Sequence, residues 1–129
     1  MDKSLYAVDR QTGALRCKFA TEGPVVSSPA LAGGMLYLGT TQGKLMGVDL
    51  AQFKPVWSFD TDGTKEHGAA FTKADGTPNE EALYRSDFYD DMVAGVDRVM
   101  SLGAILSSPV VAGNIVYVGS ADGNLYALR

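Results

Sequence analysis

One short phrase recurs along the chain at multiples of 40 residues, and this spacing constrains the fold more than any other feature. Residues 4–9 align without gaps with residues 44–49, and both align with residues 124–129. A second phrase, residues 27–33, matches residues 107–113 at an offset of 80. A period near 40 that contains only short strand signals is typical of the four-stranded blade of a β-propeller.

Each repeat unit predicts four antiparallel strands joined by tight turns. The Ser-Ser-Pro phrase opens the first strand, and Gly33-Gly34 or Gly113-Asn114 makes a hairpin turn because both pairs tolerate positive φ. A second strand rich in β-branched and aromatic residues follows. The phrase that recurs three times is the third strand, and residues 15–19 or 55–59 form the fourth. The chain therefore starts and stops inside blades.

The predicted fold class is all-β, with about three blades' length of an incomplete propeller ring and one helical insert. Propellers typically have four to eight blades, so a ring at this period needs roughly 160 residues or more. The 129 residues therefore cannot close a ring alone. Three outcomes stay open, in our order of preference: a C-terminal fragment of a longer protein, a homo-oligomer that completes a ring, or a non-propeller stack whose insert covers the exposed face.

Residues 64–103 replace one whole period within the single predicted domain 1–129. This insert has eight acidic and four basic residues, so its net charge of −4 equals that of the whole chain. Residues 77–80 form a capping box with Pro at the first helical position. Apolar residues then recur at helical spacing, which predicts a helix from about 78 to 101.

The helix prediction leaves two alternatives open. In the first, residues 74–76 and 83–84 are relics of a decayed blade, although we favour the helix. In the second, the apolar stripe of the helix forms a partner-binding face, although we favour packing of the stripe on the blades. The candidate residues of that partner face are Phe88, Tyr89, Met92 and Val96.

Three phrases resemble the PQQ-type (pyrroloquinoline-quinone enzyme) propeller repeat family. They are residues 118–128, Ala7-Val8-Asp9 with Thr12-Gly13, and residues 55–59. In that family a Trp on the fourth strand and a Gly after the Thr dock neighbouring blades. Cys17 takes the Trp position in the first copy, and Gln52-Phe53 stands where Thr-Gly is expected in the second. The resemblance implies that the blade-docking residues are Trp57, Gly13, Asp9, Asp49, Gly43 and Gly123.

The resemblance implies two kinds of function and a periplasmic or other extracytoplasmic location. The first is a non-catalytic scaffold that binds a protein partner or itself, like the non-enzymatic relatives of quinoproteins, without a cofactor. The alternative is a fragment of a PQQ-dependent dehydrogenase, whose quinone lies between a Trp and a vicinal Cys-Cys disulfide beside a calcium ion. The chain has one Cys, so no quinone site carries over to any position, and we predict no catalytic, cofactor or metal residues.

Composition argues against several other functions and sites. An acidic chain without a basic patch does not favour nucleic-acid binding, and no apolar run is long enough to span a bilayer. The N-terminus shows no signal peptide. Residues 60–63 resemble the start of a calcium loop, but Phe71 stands where its closing Glu belongs, so a solvated turn is favoured. His67 is interpreted as an ordinary loop residue and Cys17 as a small buried hydrophobe.

Overall fold

The computed structural model describes residues 2–129, and its strands fall into three separate antiparallel sheets. The first sheet has two strands, β1 (Ser4–Val8) and β2 (Leu15–Ala20). A bulge between Ala7 and Val8 shifts their register. These two strands correspond to the third and fourth strands of a blade, as the repeat predicts.

The second sheet is a complete four-stranded meander in the order β3-β4-β5-β6. A two-residue turn with positive φ at Gly33 and Gly34 joins the first two strands. Only glycine adopts such angles without steric cost, which is why the pair sits there. The strands are β3 (Ala30–Ala32), β4 (Met35–Gly39), β5 (Lys44–Asp49) and β6 (Lys54–Asp60).

The third sheet is three-stranded, with β7 (Val110–Ala112), β8 (Ile115–Gly119) and β9 (Leu125–Leu128) in sequence order. Its strands match the first to third strands of the second sheet at the offset of 80. The two Ser-Ser-Pro segments also have the same role, because Ser27 Oγ and Ser107 Oγ donate to the carbonyl oxygens of Gly39 and Gly119.

The second sheet has an apolar core on each of its faces. We call the face turned towards the next sheet along the chain the forward face, and the opposite one the backward face. On the backward face, Leu38 and Val48 are fully buried against Leu5 and Phe19 of the first sheet. On the forward face, Leu45 is fully buried with Ile105, which precedes the third sheet, and with side chains of that sheet. Both buried faces arise because successive side chains of a strand point to opposite sides.

This architecture confirms the predicted fold of stacked propeller blades in an incomplete ring. The first strands of the second and third sheets lie side by side, where Ser28 N–H donates to Ser108 Oγ at 3.1 Å. Each sheet is a short meander with its own edges, and within residues 2–129 the sheets do not close into a ring. None of the helices in this part of the chain has the length and apolarity needed to cross a membrane.

The insert contains three helices, so the single helix predicted over about 78–101 is wrong. They are α1 (Asp62–Phe71), α2 (Glu80–Leu83) and α3 (Tyr89–Ser101). The predicted helix breaks after Leu83, because Asp91 Oδ2 accepts a hydrogen bond from Ser86 N–H at 2.5 Å and holds this segment outside a helix. Short polar side chains commonly compete with helical hydrogen bonds in this way.

Helix α1 begins where the sequence was interpreted as a solvated turn. Thr61 is its N-cap residue, is fully buried and accepts a hydrogen bond from Thr64 N–H. Thr is a favoured N-cap residue and Asp62 suits the first turn, so the signal was present in the sequence. Gly63 and Gly68 weaken that signal, because glycine is a poor helix former. The decayed-blade alternative is also wrong, since Leu83 lies in α2.

Candidate interaction surfaces

Asp9 and Asp49 organise equivalent turns after the third strands. The Oδ1 atom of Asp9 accepts from the N–H groups of Gln11 and Thr12, both at 3.0 Å. Asp49 Oδ1 accepts in the same way from Ala51 at 2.7 Å. The guanidinium of Arg16, followed by these N–H groups, lowers the pKa of Asp9 to about 2. Both carboxylates therefore stabilise turns, and docking of blades through them stays a prediction.

The same two turns explain the departure at Gln52-Phe53. Gly13 has a φ of 72°, and Phe53 has a φ of 51° at the matching position. A side chain in this left-handed region costs roughly 1–2 kcal/mol. The second sheet therefore keeps the turn geometry of the repeat although it has lost the glycine.

Trp57 lies on the forward face of the second sheet, directly over Gly47. A Cβ atom added to Gly47 would lie 2.4 Å from the indole ring, so the ring occupies the space that any larger residue would need. Tyr37 packs beside it with ring centroids 5.9 Å apart. The indole lines a cleft of about 320 Å³ together with Val116 and Leu128 of the third sheet. This position suits the predicted role in blade docking, which stays a prediction.

Gly43 and Gly123 occupy equivalent turns between second and third strands, but their surroundings differ. Both have positive φ, at 72° and 86°. A Cβ atom on Gly43 would lie 2.1 Å from the carbonyl oxygen of Leu102 and 2.4 Å from Thr61 Oγ1. A Cβ atom on Gly123 would meet nothing within 4 Å. The insert therefore packs closely on the turn of the second sheet.

Two threonines hold the two ends of the insert together above Gly43. Thr61 Oγ1 donates to the carbonyl oxygen of Leu102 at 3.0 Å. Thr64 Oγ1 lies 2.8 Å from the same oxygen and 2.7 Å from the carbonyl oxygen of Gln42. The start of α1 and the residue after α3 are thus joined at the end of the second sheet that carries the turn at Gly43.

Asp122 ties the insert to the third sheet. Its Oδ2 atom accepts from Tyr126 OH at 2.6 Å and from Gly63 N–H at 3.2 Å, while Tyr126 OH accepts from Asp62 N–H at 2.8 Å. Burial raises the pKa of Asp122, but hydrogen bonds from Tyr126, Asn124 and Gly63 outweigh it, and the pKa lies below its ordinary 3.8. The carboxylate therefore anchors the N-terminus of α1.

The apolar stripe of α3 faces solvent, so its packing on the blades, the interpretation favoured from sequence, is wrong. Phe88 and Tyr89 are each 79% exposed, Met92 is 54% exposed and Val96 is 48% exposed. The opposite side of the helix packs instead, through Gly95, against Leu83 and Tyr84. Helical periodicity identified the stripe, but it did not show which side of the helix meets the protein.

The remaining candidate residues lie apart from one another. His67 is on α1 and not in a loop, with its Nε2 atom 3.9 Å from Glu66 Oε2. Cys17 is on β2, as predicted, and is partly buried. Among residues 2–129, no three His, Cys, Asp or Glu side chains are grouped so that they could hold a metal ion.

Comparison with known proteins identifies the family. A family model described as outer membrane protein assembly factor BamB matches residues 1–77, which is more than half of the chain. The chain belongs to this BamB-like family of PQQ-type repeat proteins. No curated protein matches the sequence.

A solved structure of BamB supports the fold. The crystal structure of BamB from Moraxella catarrhalis matches with a TM-score of 0.59 and 17% identity, and the match covers 99% of this chain and 28% of that one. A europium-containing methanol dehydrogenase matches with a TM-score of 0.49 and 17% identity, over 89% of this chain and 14% of that one. The chain thus spans under a third of the length of either protein.

The sequence did not single out a further exposed surface of this BamB-like chain. It lies on the third sheet, on the face that corresponds to the forward face of the second sheet. Its outward side chains are Val110, Tyr117 and Leu125, and we call this set the open face. Val110 is 61% exposed and Leu125 is 74% exposed. The 80-residue offset in the sequence could have identified this face, because Leu125 occupies the repeat position of Leu45, which is buried in the second sheet.

Proposed function

We propose that the chain is a non-catalytic β-propeller repeat module that binds protein through its blade faces. The observation that carries this proposal is the open face. Tyr117 and Leu125 repeat Tyr37 and Leu45, which in the second sheet are packed against the third sheet. The same apolar surface is therefore covered in one copy of the repeat and exposed in the next.

The composition of the open face supports binding of another blade. Large exposed apolar patches on a soluble protein mark interaction surfaces. Burial of Leu125 alone contributes about 1.5–3 kcal/mol, on the usual scale for an apolar side chain. The backward face of another PQQ-type blade is the surface that covers the equivalent residues of the second sheet. A second copy of this chain, or a further blade of the same polypeptide, supplies such a surface.

Light scattering of the purified chain after size-exclusion chromatography tests this function. We expect the chain to form assemblies whose mass rises with concentration. Leu125→Asp places a charge in the open face and is expected to yield monomers at the same concentration. Val56→Asp is the matched control, because Val56 is 52% exposed but lies on β6 of the second sheet, and it should assemble as the parent does. A monomeric parent chain, or equal assembly by both variants, contradicts the proposal.

We propose that this module holds no quinone of its own. The resemblance implies a Trp and a vicinal pair of cysteines around PQQ, and the residues present do not fit that arrangement. Trp57 lies over Gly47 on the second sheet, whereas Cys17 pairs with Ala7 on the first. Addition of PQQ with calcium is expected to leave the absorption spectrum of the quinone unchanged. A saturable spectral shift, with dye-coupled alcohol oxidation, would overturn this part of the proposal.

We also propose an extracytoplasmic location, which is supported by the match to a family described as an outer membrane protein assembly factor. Fractionation of cells that produce the protein is expected to place it with periplasmic or envelope markers. Recovery with cytoplasmic enzymes contradicts this assignment.

A further inference from the structure

We infer that the exposed side of α3 is a docking surface for a basic amphipathic helix of a partner protein. The surface consists of Tyr89, Met92, Val93 and Val96, and we call it the α3 stripe. These residues follow the i, i+3, i+4, i+7 spacing of one helical face. This surface is separate from the open face of the third sheet, which carries the proposed function.

The orientation of the α3 stripe is fixed by contacts on the opposite side of the helix. A Cβ atom on Gly95 would lie 2.3 Å from the ring of Tyr84, so α2 and the residue after it pack closely there. Arg98 Nη1 donates to the carbonyl oxygen of Leu83 at 2.6 Å, and Arg98 Nη2 pairs with Asp91 Oδ1 at 3.0 Å. Rotation of α3 to bury the stripe would break the contacts of Gly95 with Tyr84 and of Arg98 with Leu83. The stripe therefore stays exposed in the folded insert.

The α3 stripe is apolar enough to bind a second helix. Its side chains are 79%, 54%, 47% and 48% exposed, in sequence order. Apolar anchors at i, i+3, i+4 and i+7 are the usual pattern when helices recognise one another. About half or more of each side chain is therefore accessible to a partner.

The charges beside the α3 stripe indicate which kind of partner it binds. Asp90 and Asp97 follow one edge of the stripe, since they lie about 80–120° around the helix from Tyr89 and Val96 at 100° per residue. Arg98, the basic residue of α3, already pairs with Asp91, and the hydrogen bond from Arg98 lowers the pKa of that carboxyl. The insert as a whole carries a net charge of −4. A second copy would bring two acidic inserts together, whereas a helix with Lys or Arg beside its apolar residues would complement the stripe.

Binding of a model peptide tests this inference. The probe is a fluorescently labelled 14-residue amphipathic peptide of leucine and lysine, and the control probe replaces each lysine with glutamate. Fluorescence anisotropy is expected to show binding of the lysine peptide that weakens as salt is added, and at least tenfold weaker binding of the glutamate peptide. Equal binding of the two peptides contradicts the inference.

Matched variants locate the binding surface. Tyr89→Ser/Met92→Ser/Val96→Ser removes exposed side chains and is expected to weaken binding of the lysine peptide at least tenfold, with an unchanged far-ultraviolet circular dichroism spectrum. The control Val56→Ser should bind as the parent does. Equal affinity of parent and triple variant would overturn the inference, because the peptide would then be binding elsewhere.

A second pair of variants separates specific charge from net charge. Asp90→Asn/Asp97→Asn is expected to weaken binding several-fold, and the control Glu66→Gln/Glu81→Gln, which changes net charge equally, is expected to weaken it less. Equal losses of affinity in the two double variants contradict the assignment of peptide binding to the α3 stripe. Leu125→Asp distinguishes this inference from the proposed function, because it should abolish assembly but leave peptide binding intact. If the triple serine variant no longer assembles, the α3 stripe binds a second copy of this chain instead of a basic helix, which would overturn the inference.

Discussion

The second and third sheets are copies of one repeat, and the comparison between them separates what the repeat encodes from what its neighbours add. Leu45 and Leu125 occupy the same register position in the two sheets, yet Leu45 is fully buried and Leu125 is 74% exposed. Gly43 and Gly123 share a backbone conformation, yet only Gly43 is pressed against the insert. The repeat therefore sets strand, turn and face, while burial depends on the element that lies opposite.

The largest expected difference between the two sheets is at the leucines. Leu45→Ala removes a side chain packed with Ile105, Val116 and Val118, so it should lower the free energy of unfolding by about 2–5 kcal/mol. Leu125→Ala should change it by less than about 0.5 kcal/mol, because surface substitutions have little effect. Urea denaturation of both variants at concentrations where the chain is monomeric measures the difference. Equal losses would mean that the two faces are not covered differently.

The glycine pair gives an intermediate effect. Both Gly43→Ala and Gly123→Ala force alanine into positive φ, which costs roughly 1–2 kcal/mol. Only the Gly43 variant also displaces the backbone at Leu102 and the side chain of Thr61, so it should lose the larger amount. Thermal unfolding of the two variants side by side checks this. A Gly123→Ala variant that is the less stable of the two contradicts the close packing of the insert.

The smallest expected effect is a pH dependence of stability. Only the third sheet has a carboxyl group in this turn, because Asp122 occupies the position that Gln42 occupies in the second sheet. A carboxyl whose pKa is lowered by folding stabilises the native state above its ordinary pKa of 3.8, and this contribution is lost as the pH falls through the lower value. Asp122→Asn should therefore reduce the loss of stability as the pH falls below the ordinary pKa of 3.8. Gln42→Asn, the matched change in the second sheet, should leave the slope unaltered. Parallel slopes for all three proteins would exclude a role for Asp122.

The strands could be predicted from sequence because the repeat shows the same pattern of strands and turns more than once. Each landmark, such as the Gly33-Gly34 turn, is checked by its copy 80 residues later. The insert occurs once and has no such check. A helical period over 78–101 did not reveal the break after Leu83, because that break depends on the contact between Asp91 and the backbone of Ser86.

The candidate surfaces were predictable only in part, for a related physical reason. Periodicity shows which side chains share a face, as it did for Met92 and Val96, but not what packs against that face. The glycine at position 95, which lets Tyr84 approach α3, was the one signal in the sequence that pointed to the buried side. The exposure of Leu125 likewise depends on which blade follows the third sheet.

The most direct test of the central claim is thiol labelling of Leu45→Cys and Leu125→Cys in a Cys17→Ser background, at low and high protein concentration. We predict that the thiol at 45 reacts slowly at both concentrations, whereas the thiol at 125 reacts fast in dilute solution and slowly once the chain assembles. A thiol at 125 that keeps the same fast rate at both concentrations would contradict the claim that the open face binds another blade.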